Sequence, residues 1–346
     1  MARKKILFRG GLIGGALVIL LAVTGGSVLY TWIYSPSLLH TPSDSVFFYV
    51  RTGSEYPQVY MDFKKSGWLK YERGFDWVAK KKEYPAHVKP GRYLLLKGMT
   101  NSQIVDLLRS GRQTEVDLVF KTTRYFDRLA GILSKQIEAD SLSLLNAFRD
   151  TAVMRSYGFT PDQWRGMFIP NTYSFFWNTN AEQFLQRMSQ EFKAFWNPQR
   201  DSLLKQTGLD KFQLISLAAI VQEETFKTED MPIVAGVYMN RLRKGIRLQA
   251  DPTVIFALGD YTIRRVLHNH LIVDSPYNTY RYAGLPPGPI RIPSIQAIDA
   301  CLNYQKHDYL YFCAKEDFSG YSVFARTYAE HLVNARKYQR ALGKAK

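Results

Sequence analysis

No charged residue interrupts the chain from Gly10 to Tyr34, and Leu12, Ile13, Leu17, Val18, Ile19, Leu20, Leu21, Val23, Val28 and Leu29 dominate that run. As a helix it is long enough to span a hydrocarbon core of about 30 Å. Arg3, Lys4, Lys5 and Arg9 precede it and keep residues 1–9 cytoplasmic, while Tyr30, Trp32 and Tyr34 stand where an aromatic belt is expected. The run therefore predicts a transmembrane helix over 10–34, with everything after Ser35 outside the cytoplasm. A cleaved signal peptide is the competing reading, with Gly25, Gly26 and Ser27 near a cleavage position. It requires an unusually long apolar region, and no A-x-A-like sequence follows. No second run of this length occurs, so the remainder reads as an ectodomain on one anchor.

At 346 residues the chain exceeds what one core usually organises, which predicts two folded domains beyond the anchor. Its formal charge of +16 favours a polyanion, whether nucleic acid, an anionic membrane surface or an anionic cell-wall polymer. Lys337, Arg340, Lys344 and Lys346 place part of that charge in the C-terminal tail. No dense basic block interleaved with aromatics occurs, so no nucleic-acid partner is expected. Cys301 and Cys313 lack the spacing with histidine that a zinc site needs; a single bridge and two small buried hydrophobes both remain open.

The pattern predicts an α+β chain. Val46–Val50, Gly91–Leu96 and Val116–Phe120 read as strands, with helical stretches at Tyr56–Lys65, Tyr71–Lys81 and Thr100–Leu108, the last opened by an N-cap threonine. Together they form a small mixed domain over 40–122. A mainly helical domain with a few strands follows over 123–346. It includes helices at Lys211–Thr225, Met231–Arg243 and Ser294–Leu302, a strand at Tyr309–Phe312, and a terminal helix. The stretch beyond Gly245 reads as loops stiffened by proline and glycine.

Within the Lys211–Thr225 helix, Leu214, Leu217, Ile220 and Val221 recur on one face, and Glu224 falls inside that apolar stripe. Gln222 and Glu223 point away from its centre. A carboxyl directed into apolar surroundings resists ionisation, as a general acid working near neutral pH requires. The structural alternatives are a glutamate at a helix end already in water, or one paired with Arg241 or Arg247. Downstream, the amides, hydroxyls and phenols of Gln249, Asn278 and Tyr280 suit sugar hydroxyls and N-acetyl groups.

Ile220-Val221-Gln222-Glu223-Glu224-Thr225, Asn240-Arg241-Leu242, Leu248-Gln249-Ala250-Asp251-Pro252-Thr253-Val254, Pro276-Tyr277-Asn278-Thr279-Tyr280 and Gly284-Leu285-Pro286-Pro287-Gly288-Pro289-Ile290 stand in this order. The set closely resembles the YceG-like family of endolytic murein transglycosylases, also called MltG. The resemblance implies Glu224 as catalytic residue, and a glycan contact surface drawn from Asn240, Gln249, Asp251, Thr253, Asn278 and Tyr280. It also implies a LysM-like fold for residues 40–122, through Pro90-Gly91-Arg92-Tyr93 and the helix after it. Two positions depart from the family pattern. Asn171 stands in Pro170-Asn171-Thr172-Tyr173 where many relatives have aspartate, and Ser322 stands near an expected histidine before Phe324.

The implied reaction cuts the bond between N-acetylmuramic acid and N-acetylglucosamine in nascent peptidoglycan strands without water, leaving a 1,6-anhydro end, and needs neither metal nor cofactor. The implied setting is the inner membrane with the catalytic domain on the periplasmic side, and penicillin-binding peptidoglycan synthases as partners. Two alternatives compete. One is a two-carboxylate glycoside hydrolase using Asp251, whose own structural alternative is a loop-capping residue before Pro252. The other is a non-catalytic, membrane-anchored cell-wall scaffold.

Overall fold

The computed structural model describes residues 2–344, with side chains described over 15–343. The side chains of Arg3, Lys4, Lys5, Arg9, Leu12, Ile13, Lys344 and Lys346 lie outside the described residues. The architecture is mixed α+β, with helices supplying most of the regular structure and three two-stranded sheets among the described residues. The chain divides into two compact units, the first running through Asp117 with 136–138 and 174–179, the second taking the rest.

The first unit contains helix α1 (Ala2–Tyr34), strand β1 (Ser45–Val50), helices α2 (Tyr56–Ser66) and α3 (Glu72–Lys81), strand β2 (Gly91–Leu96) and helix α4 (Asn101–Ser110). Gly15–Tyr34 of α1 has a mean hydropathy of 2.0, and this helix is long and apolar enough to cross a membrane by length and composition. Strand β1 alternates so that Val46, Phe48 and Val50 face the core, and it pairs antiparallel with β2, Val46 opposite Leu95. The Phe48 ring stacks on Phe63 of α2 with centroids 3.8 Å apart, and Phe63 meets Phe75 of α3 at 4.8 Å. Helix α4 begins at the expected N-cap Thr100, which forms a capping box: Thr100 Oγ1 accepts from Gln103 N and Gln103 Oε1 from Thr100 N.

The chain continues through β3 (Val116–Val119), α5 (Phe126–Leu133), α6 (Ser141–Arg149), α7 (Thr151–Ser156) and β4 (Thr172–Phe175). Then come α8 (Ala181–Phe195), α9 (Pro198–Thr207), α10 (Lys211–Glu224), α11 (Met231–Arg243), α12 (Asp251–Leu258), α13 (Ile295–Leu302), β5 (Tyr311–Ala314), β6 (Ser322–Ala325) and α14 (Tyr328–Lys344). At the centre of the second unit, α10 packs on α11, α12 and α13, and every side chain from Leu214 to Val221 is buried. The single apolar face expected of this helix is thus a correction: it is enclosed on all sides, because Ile215, Ser216, Ala218 and Ala219 fill the faces between the larger residues. Small residues also allow two close approaches. A Cβ on Gly236 of α11 would lie 2.3 Å from Gln305 O, and one on Gly288 would lie 1.9 Å from Asp162 O.

Two other expectations change. Residues after Gly245 do not stay in loops: α12 starts at Asp251, and Pro252 sits in its first turn, where a proline loses no helical hydrogen bond. The strand expected at Tyr309–Phe312 begins two residues later and pairs with β6, Phe312 opposite Phe324. Both cysteines are free thiols, Cys301 buried and Cys313 partly exposed.

Candidate active site

Glu224 is the last residue of α10, whose first turn is fixed by Asp210 accepting from Phe212 N and Gln213 N. Its side chain enters a cleft of about 300 Å³ within the second unit, together with Tyr238, Arg241, Gln249, Asp251 and Tyr280. Tyr238 of α11 donates to Glu224 Oε1 at 2.8 Å. Burial pushes the Glu224 carboxyl up to about 7; the negative charges of Asp251 and Glu223 add to this, while the Tyr238 hydrogen bond and the charge of Arg241 oppose it.

The alternatives read from sequence are decided by what the arginines do. Arg241 Nε donates to Leu310 O at 2.7 Å, and its Nη1 donates to Leu248 O at 2.8 Å and Arg247 O at 3.2 Å. Arg247 donates to Tyr280 O at 3.1 Å. Neither forms an ion pair with Glu224, so backbone carbonyls rather than the carboxyl hold both side chains. Arg241 is 8% exposed and lies 5.1 Å from the centre of the Tyr311 ring. It places a positive charge beside the cleft without neutralising the acid directly.

Glu223, next to Glu224, is buried on another side of the helix. Pointing away from the stripe does not bring it to solvent: its side chain is 6% exposed, and Arg291 meets Oε1 at 2.7 Å while Arg124 bonds both carboxylate oxygens. Adjacent glutamates therefore have opposite environments. One is paired with two guanidinium groups, and the other meets a phenol and has no ion-pair partner among the described residues.

Asp251, the first residue of α12, accepts from Tyr280 OH at 2.5 Å through Oδ1. It is a helix-opening residue rather than a loop cap, since Ala250 occupies the N-cap position. Gln249, just before it, adopts φ 52°, the left-handed region that costs a side-chain-bearing residue about 1–2 kcal/mol. Its backbone N–H is held by Thr279 O at 3.1 Å, and its side chain lines the cleft. This is local strain at a site, supported by the surrounding turn.

Three residues expected to contact glycan face elsewhere. Thr253 is fully buried, its hydroxyl donating to Ala250 O at 2.7 Å and lying 2.8 Å from Thr279 Oγ1. Asn278 is also fully buried; its amide donates to Leu271 O and Val273 O, both at 2.8 Å, and its Oδ1 accepts from Tyr280 N at 3.0 Å. Asn240 donates to His307 O at 2.6 Å and Tyr309 O at 3.0 Å. These side chains spend their hydrogen bonds on positioning the Gln249–Asp251 turn, Tyr280 and the approach to β5.

The cleft also contains residues that sequence reasoning did not assign to it: Tyr238, Arg241, Tyr311, Phe312, Tyr328 and His331. Tyr238 and Arg241 lie one helical turn apart, a spacing that could have linked them. Tyr328 and His331 sit in the first turn of α14 and carry no comparable signal. Burial, then the charge of Arg241, holds the His331 imidazole below its ordinary pKa, and its Nδ1 is buried without a hydrogen-bond partner. Among the described residues, no three His, Cys, Asp or Glu side chains cluster as metal ligands.

A carboxyl whose pKa is raised, a second carboxylate tied to a phenol, and several aromatic rings thus share one cleft. Residues 48–337 match the model of the YceG-like family, and the chain belongs to that family. It is 29% identical over 332 residues to the endolytic murein transglycosylase of Bacillus subtilis (strain 168), covering 91% of each chain. It is 26% identical over 317 residues to that of Streptococcus pneumoniae serotype 2, covering 83% of this chain but 57% of the longer relative. A crystal structure of a YceG-like protein from Listeria monocytogenes superposes with a TM-score of 0.54 at 26% identity, covering 84% of this chain and 98% of that one.

Proposed function

We propose that this chain is an endolytic peptidoglycan lytic transglycosylase in which Glu224 serves first as general acid and then as general base. The observation that carries the reading is the Glu224 carboxyl, raised to about 7 in an open cleft and without an ion-pair partner among the described residues. A group titrating there is divided between its protonated and ionised forms at neutral pH, so it gives up and takes back a proton at little cost. Protonated Glu224 donates to the glycosidic oxygen as the C1–O bond of N-acetylmuramic acid breaks. The resulting carboxylate then takes the proton of that sugar's C6 hydroxyl as its oxygen bonds to C1. The proton count closes on Glu224, and the product is a 1,6-anhydro end.

Positive charge developing at C1 meets the carboxylate of Asp251, oriented by Tyr280, and the side-chain dipole of Gln249. Tyr238 stabilises the ionised Glu224 between the two steps. The names of the curated relatives support murein as substrate, and α1 supports a single membrane anchor. On this reading residues 1–9 are cytoplasmic, 10–34 span the inner membrane, and 123–346 carry catalysis on the periplasmic side. Residues 40–122 form a LysM-like subdomain, a reading supported by the order β1, α2, α3, β2. Penicillin-binding synthases supply the nascent strands.

Mass spectrometry of uncrosslinked glycan strands digested by the wild type and by Glu224→Gln tests the proposal. Internal cuts with 1,6-anhydro ends, lost in the variant, are expected. Reducing ends would transfer the case to hydrolysis through Asp251, and undiminished cleavage by the variant would remove Glu224 from the mechanism.

A further inference from the structure

The last turn of α1 is built into the first unit. Trp32 lies against Gly74 of α3, where a Cβ would sit 2.8 Å from Trp32 Cγ, and Trp32 O accepts from the fully buried Asn101 at 2.9 Å. Directly after the helix, Ser37 and Leu38 are fully buried, and both backbone N–H groups donate to Met99 O at 3.0 Å. No flexible linker separates the apolar helix from the folded unit. Trp32 itself belongs to the apolar Gly15–Tyr34 segment, so a bilayer crossed by α1 meets α3 at its surface.

At that level an open groove of about 540 Å³ is lined by Trp32, Tyr60, Trp77 and three cations, Arg73, Lys80 and Lys81. Its one carboxylate, Asp76, is occupied: it binds Lys80 Nζ at 2.8 Å and accepts from Tyr56 OH at 2.9 Å. Arg73 and Lys81 have no carboxylate partner among the described residues, and Lys81 Nζ lies 5.8 Å from the centre of the Trp77 ring. Indole rings favour the headgroup level of a bilayer, and unpaired cations beside them attract anionic lipid. The guanidinium of Arg73 adds the planar donor fork suited to phosphate oxygens.

We propose that this groove binds the phosphate-bearing headgroup of an anionic phospholipid in the leaflet where α1 ends. The inference rests on the reading that α1 spans the membrane, and it gives Arg73 and Lys81 a ligand distinct from the glycan. Headgroup binding holds α3, and with it the first unit, against the membrane surface.

The test uses the full chain in detergent micelles, offered phosphatidylglycerol or phosphatidylcholine, with bound lipid counted by native mass spectrometry. Phosphatidylglycerol should be retained over phosphatidylcholine, and added salt should erase the preference. Arg73→Gln with Lys81→Gln should weaken phosphatidylglycerol retention about thirtyfold, from about fivefold for each cation near an anionic surface, while the melting curve stays as in the wild type. Equal retention of both lipids, salt-insensitive retention, or undiminished retention by a folded double variant would each overturn the proposal. Full competition by soluble glycerol phosphate would overturn the lipid as its occupant. Release of the chain from membranes by alkaline carbonate would overturn the anchor and the groove together, whereas failure of the groove alone leaves the chain inserted.

Discussion

Glu224→Gln should abolish cleavage and, above neutral pH, stabilise the protein. In the unfolded chain the carboxyl titrates near its ordinary value of 4.5, while in the fold burial raises it to about 7. Below the lower value both states are protonated, and the carboxyl makes no difference to stability. As pH rises between the two values the unfolded state loses its proton and the native state keeps it, so the wild type loses stability. Above about 7 the native state holds an ionised buried carboxylate, and the accumulated loss from the shift is about 3 kcal/mol. Water in the cleft reduces that figure, so the expected gain for the neutral amide is about 1–3 kcal/mol. The carboxamide oxygen of the variant still accepts from Tyr238, which keeps the comparison close to one of charge alone. Urea denaturation of both proteins across the pH range, followed by circular dichroism, provides the assay. The curves should coincide in acid and separate through neutrality, with the variant the more stable. Parallel curves at all pH values would show that Glu224 is not held protonated by the fold.

Tyr238→Phe removes a hydrogen bond to the ionised carboxylate, so the alkaline limb of kcat/KM should move upward by about 1–2 pH units; an unmoved limb would separate that limb from Glu224. Glu223→Gln should have the opposite kinetic sign, since its charge helps to raise Glu224, and should destabilise the second unit by about 3 kcal/mol by leaving Arg124 and Arg291 without their partner. Calorimetry checks the second effect and the pH profile the first. Gln249→Gly relieves the left-handed backbone by up to about 1 kcal/mol while emptying one wall of the cleft, so kcat/KM should fall as the urea midpoint holds or rises. Loss of both together would mean that the side chain supports the fold rather than the substrate.

Local signals in the chain were sufficient for much of this molecule. Alternation in Val46–Val50, the Thr100 cap and the apolar run in α1 depend on neighbours a few residues apart. The family motifs likewise named Gln249, Asp251 and Tyr280, all of which reach the cleft. The same motifs also hold Asn240, Thr253 and Asn278, because a motif records which residues a site needs without separating those that line it from those that brace it.

Only the tertiary structure made that separation. Arg124 reaches Glu223 across 99 residues and Arg291 across 68, pairings that no local periodicity encodes. Arg241 could have neutralised Glu224 from its place in the sequence; the path of β5 and of Leu248 gave its donors to carbonyl oxygens instead. Helix spacing placed Glu224 at the end of an apolar stripe, yet its neighbour Glu223 is buried as well. Whether Glu224 met a cation or a phenol there depended on chain segments far apart in sequence, since burial and charge are set by whatever the fold brings alongside.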